Sequence, residues 1–147
     1  MLRLIKILLF AFIAMPCSLY ALDKNGNFES KNEQNKYIAA TLKKMAVEMN
    51  SQAPIMLDAE TQFRSAIALN KTINFSYQLV NLSSKELSSN ALKQLNKTIW
   101  GNMNDNACKV QGTRTLIDLG VSYVYIYFGN DDRLITRVVL NKYICNK

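Results

Sequence analysis

The chain has 147 residues, with 18 lysines and arginines against 11 aspartates and glutamates, and it has no histidine. The missing imidazole removes Ser-His-Asp and Cys-His nucleophilic catalysis and the commonest zinc ligand. No glycine-rich phosphate loop occurs, and the bases are scattered from Lys24 to Lys147 rather than clustered among aromatics, so no cofactor, no metal and no nucleic-acid partner is expected.

The first stretch, MLRLIKILLFAFIAMPCSLYALD, has the layout of a secretory signal. Arg3 and Lys6 flank an apolar run from Ile7 to Met15, and small residues follow as far as Ala21, after which cleavage is expected. The run is shorter than the ~20 apolar residues of a spanning helix, so no stable membrane span is expected after processing. Cys17 lies where a lipid-bearing cysteine would be, but Pro16 before it does not fit that signal. Loss of residues 1–21 leaves 126 residues, enough for one domain with its own core, and leaves 16 bases against 11 acids. It also leaves two cysteines, Cys108 and Cys145, in an oxidising compartment, where they are expected to form a disulfide.

Residues 22–36 are polar and rich in asparagine, and are expected to form a flexible lead-in to a single domain over 37–147. Ile38, Leu42, Met45 and Met49 then recur at helical steps, and Pro54 stops that helix beyond Asn50. Phe63, Ser65, Ile67 and Leu69 alternate with polar or small residues, and Ile73, Phe75, Tyr77 and Leu79 do the same after an Asn70-Lys71 turn, which predicts an antiparallel hairpin.

Ser83 followed by Glu86 has the spacing of a capping box, and Leu87, Ala91, Leu95 and Ile99 continue as a second helical stripe expected to end near Gly101. A loop then carries Cys108 toward a short strand at Arg114 to Asp118 and a last hairpin, 121–128 and 134–144, turning at Gly129 to Asp132. Both sides of the 121–128 strand are apolar or aromatic, which places it centrally in the sheet. Tyr123, Tyr125 and Tyr127 share one side, either buried under a helix, the favoured alternative, or exposed as a contact face. The expected fold is α+β: two helices on one face of an antiparallel sheet of four or five strands, in the order αββαββ.

The pattern Asn50, Pro54, Asp58, Thr61 (NSQAPIMLDAET), with Leu119-Gly120-Val121, Tyr125, Tyr127 and a terminal Cys145, resembles small exported bacterial proteins of unknown function. The resemblance implies export, the disulfide and a bacterial source, and it carries no activity to this chain. Two carboxylate pairs exist: Asp58 with Glu60, either an acid-base pair or a strand-entry cap, and Asp131 with Asp132, on a turn tip.

Two functions are compatible with these residues. The first is an exported, non-catalytic interaction protein, such as an accessory envelope or secretion-system component or an inhibitor or immunity protein, with a protein partner on a sheet edge or on the tyrosine face. The alternative is a small-molecule binder or carboxylate enzyme, with Asp58, Glu60 and tyrosines in a pocket between sheet and helices.

Overall fold

The computed structural model of the protein describes residues 27–146, and the expected signal segment, 1–21, lies outside them. Helix α1 (Lys31–Asn50) begins where Ser30, in an extended conformation, accepts the Glu33 N–H on its hydroxyl, with the Glu33 charge favourable in the first turn. It thus starts six residues before position 37. Lys31 to Lys36 contain no apolar residue to mark a helical period, yet they cost a solvated first turn nothing. Ile38, Leu42 and Ala46 form its buried stripe.

Five strands follow: β1 (Ile55–Met56), β2 (Thr61–Leu69), β3 (Thr72–Leu79), β4 (Ser122–Gly129) and β5 (Leu134–Leu140). They make one sheet in chain order, β1-β2-β3-β4-β5. The β2–β3 and β4–β5 hairpins are antiparallel as expected, but β3 and β4 pair in parallel, Thr72 beside Ser122 through Leu79 beside Gly129. The sheet is therefore mixed rather than wholly antiparallel. A parallel neighbour requires a long crossover, and the segment between β3 and β4 supplies it with two helices.

That crossover differs from the expected one in three places. The Ser83 capping box is present, but it opens only a 3-10 turn, Ser84–Glu86; helix α2 (Ser89–Ala107) starts separately, with Ser88 accepting the Ala91 N–H. Gly101 does not end α2, because Met103 and Ala107 extend the buried stripe of Leu95 and Ile99 at further steps of four. The expected strand at Arg114 to Asp118 is instead helix α3 (Gln111–Asp118), in which Thr113 and Ile117 are buried one turn apart. Finally β5 stops at Leu140, where Asn141 accepts the Tyr143 and Ile144 N–H groups and caps a last turn, α4 (Lys142–Cys145).

The core is one layer thick. Register places Phe63, Tyr77 and Tyr127 in one row across the sheet, Ala66, Phe75, Tyr125 and Val138 in the next, and Ala68, Ile73, Tyr123 and Leu140 in the third. These rows pack against the stripes of α1, α2 and α3. Each large side chain removed from water there stabilises the fold by roughly 1.5–3 kcal/mol. A disulfide between Cys108, at the C-terminus of α2, and Cys145 closes the helical layer onto the end of β5.

Candidate protein-contact surface

Tyr123, Tyr125 and Tyr127 lie under the helices, with 0%, 8% and 2% of their surface exposed. As a contact face this side of β4 is therefore corrected: alternation turns the odd-numbered residues toward α1 and α2, where burial is their contribution. Tyr77 stacks on Tyr127 at 5.1 Å and on Tyr125 at 6.3 Å, and Phe75 meets Tyr125 at 5.3 Å. Such pairs add about 0.5–1.5 kcal/mol beyond their area. Burial raises the hydroxyls of all four tyrosines above their ordinary value, and for Tyr77 the neighbouring Tyr127 and Tyr125 add to it. They stay neutral at physiological pH and supply no tyrosinate for chemistry.

Asp58 and Glu60 occupy the entry to β2. One carboxylate oxygen of Asp58, Oδ1, accepts the N–H groups of both Glu60 and Thr61 at 2.7 Å, which is the geometry of a side-chain-closed turn. The other, Oδ2, is buried and has no hydrogen-bond partner among the described residues, as is Thr61 Oγ1. The Asp58 charge reaches Tyr127, where it adds to the raising effects of burial and of Tyr125. The Glu60 carbonyl accepts from Val80 N–H at 2.9 Å. The pair thus closes the β1–β2 connection onto the sheet. Among the described residues no group of three or more acidic, cysteine or histidine side chains is placed to hold a metal ion.

The other face of the sheet is what remains for contact. The helical stripes pack into the tyrosine-side core, which holds none of the even-numbered residues of β4; on that even-numbered side Val124 is nonetheless fully buried, at 1%. There Ile126 and Phe128 are half-buried beside Arg137 and Leu134 of β5, and Leu134 is 57% exposed. Ile67 of β2, on the same side, is 64% exposed. Arg64 rises over the Phe128 ring, 6.0 Å from its centroid, and pairs with Asp132 at 2.6 Å. The sequence carried part of this signal: both sides of β4 are apolar, whereas the described helical stripes pack against only one of them.

No protein-family model matches this sequence, and no curated protein sequence matches it. Solved structures do. A candidate secreted protein of Pseudomonas aeruginosa, PA3611, superposes with a TM-score of 0.60 at 12% identity, over 76% of this chain and 96% of that one. The type II secretion system pilotin AspS of Vibrio cholerae gives 0.57 at 14% identity, over 78% and 97%. The type 2 secretion system pilotin EpsS of Vibrio vulnificus gives 0.60 at 12% identity, over 78% and 96%. At these identities the likeness establishes a shared fold, one that spans nearly the whole of each of those proteins.

Proposed function

We propose that this chain is an exported, non-catalytic interaction protein, an accessory component of an envelope or secretion apparatus, that binds another protein through the side of its sheet opposite the helical core. The observation that carries this is the apolar, arginine-flanked face formed by Ile126, Phe128, Leu134 and Arg137 on the side of the sheet opposite the helical core, where Leu134 is 57% exposed. The fold it shares with two secretion-system pilotins and a candidate secreted protein supports the setting. So do the signal-like first segment and the Cys108–Cys145 disulfide, which suits an oxidising compartment. The role requires no cofactor. Protein contact also agrees with the chemistry present: apolar and arginine side chains together suit a protein interface, whereas Oδ1 of Asp58 is committed to its turn.

Affinity capture of the tagged mature protein from its native envelope, followed by mass spectrometry, tests this. A stoichiometric protein partner is expected with the wild type and lost with Ile126→Ser plus Leu134→Ser, a double variant that keeps the buried tyrosine side and hence the fold. No partner above background, or a partner retained by the folded double variant, overturns it.

A further inference from the structure

The two edges of the sheet are finished differently. At the first, β1 covers Phe63 and Gln62 of β2. Beyond it the Asn50 side chain takes over: its amide donates to the Ala66 carbonyl at 2.8 Å and its oxygen accepts the Ala66 N–H at 2.7 Å. One asparagine so imitates a neighbouring strand at Ala66. The opposite edge is β5, which ends the strand order.

Which backbone groups of β5 face outward follows from the ladder. Ser122 donates its N–H to the Lys71 carbonyl, on the β3 side, so the even-numbered residues of β4 turn their peptide groups to β3. The odd-numbered Tyr123, Tyr125 and Tyr127 therefore bond β5, and Leu140, Val138 and Thr136 opposite them are satisfied there. Arg137 and Val139 direct their N–H and C=O groups away from the sheet. Their side chains stand on the face opposite the helical core, beside the half-buried Ile126 and the fully buried Val124.

We propose that β5 is a strand-addition edge that takes an extended segment of a partner protein, with an acidic residue beside Arg137 and apolar residues beside Val139 and Leu134. This deepens the interaction reading above and rests on it. Main-chain bonds to Arg137 and Val139 hold such a strand, and the side chains of Arg137, Val139 and Leu134 select it. Charge decides the occupant. From residue 133 to the end the chain carries Arg133, Arg137, Lys142 and Lys147 and no acid. Arg64 is paired with Asp132 and Arg114 with Asp118, but no described carboxylate pairs with Arg133 or Arg137. A second copy of β5 would bring these charges against their like, which is unfavourable across a strand pair, whereas an acidic segment neutralises them.

The test uses isotope-labelled mature protein and three synthetic peptides: alternating valine and glutamate, alternating valine and lysine, and the glutamate peptide with alternate amides N-methylated. In the free protein the Arg137 and Val139 amides are expected to exchange with solvent quickly, and those of Thr136, Val138 and Leu140 slowly. The glutamate peptide slows Arg137 and Val139 by about tenfold or more, and the other two peptides leave them unchanged. Arg137→Glu weakens that peptide by roughly fivefold, the scale of one exposed ion pair. Arg137→Pro removes an outward N–H without touching the β4 ladder, and abolishes binding in a folded protein.

Arg137 and Val139 amides already slow in the free monomer, or peptide binding that leaves them fast, overturns the proposal. A sedimenting dimer that protects the same amides overturns it in favour of a second copy. A captured partner whose complex leaves these amides fast sinks strand addition alone and leaves the broader interaction role standing.

Discussion

Asp131, on the tip of the β4–β5 turn, holds that tip to the start of the crossover. Its carboxylate accepts the Ser84 hydroxyl at 2.7 Å, the Ser83 hydroxyl at 3.1 Å and the Ser84 N–H at 3.2 Å, with Arg133 N–H at 3.4 Å. These donors bond the ionised form more strongly than the neutral one, and the Ser84 hydroxyl foremost holds the carboxyl down at about 2. A group whose folded value is depressed adds stability that is present above its unfolded value of ~3.9 and lost as pH falls through the folded one. Asp131→Asn is therefore expected to lower the urea midpoint near neutral pH, and to lose less than the wild type between about pH 5 and about pH 2. Parallel acid losses in the two proteins would show that the contacts do not depend on the charge. At Gly120 the constraint is steric: its φ of 90° suits glycine, and the Lys71 ammonium lies 2.9 Å from where a Cβ would stand.

Helix α2 shows how an element can run through its own apparent stop signal. Gly101 is solvent-exposed in mid-helix, with nothing within 4 Å of a built Cβ, while Leu95, Ile99, Met103 and Ala107 continue one buried stripe past it. The cost of a mid-helix glycine is about 1 kcal/mol, less than the burial of Met103 returns. Gly101→Ala is expected to raise stability by about 0.5–1 kcal/mol in chemical denaturation. A loss would mean that the chain leaves helical geometry there. α3 and α4 escaped notice for a related reason: eight and four residues are too few for period alone to separate helix from strand.

For the whole molecule, the disulfide joins the end of the helical layer to the end of the chain. It spans 37 residues, for which the loop-closure model assigns roughly 3.5–4 kcal/mol. Arg114 reinforces the same closure, donating to the Cys145 carbonyl at 3.1 Å. The double variant Cys108→Ser, Cys145→Ser is expected to keep its far-ultraviolet circular dichroism, because Val138 and Leu140 are buried by the sheet and helices. Its unfolding midpoint falls by an amount near that value, and an unchanged midpoint in oxidising buffer would show that the crosslink constrains nothing.

Composition and local order in the chain were enough to determine the α+β class, the β2–β3 and β4–β5 hairpins, the α1 stripe and the pairing of Cys108 with Cys145. Each rests on short-range period, on turn residues, or on there being two cysteines left once the first segment is set aside. Tertiary structure alone decided that β3 and β4 run in parallel, since that depends on where the crossover returns. It also decided that the tyrosines of β4 are core and that Ile126 and Phe128 lie on the side away from the helices. Alternation in sequence separates the two sides of a strand, but on a strand apolar on both sides only the placement of the helices determines which side they cover.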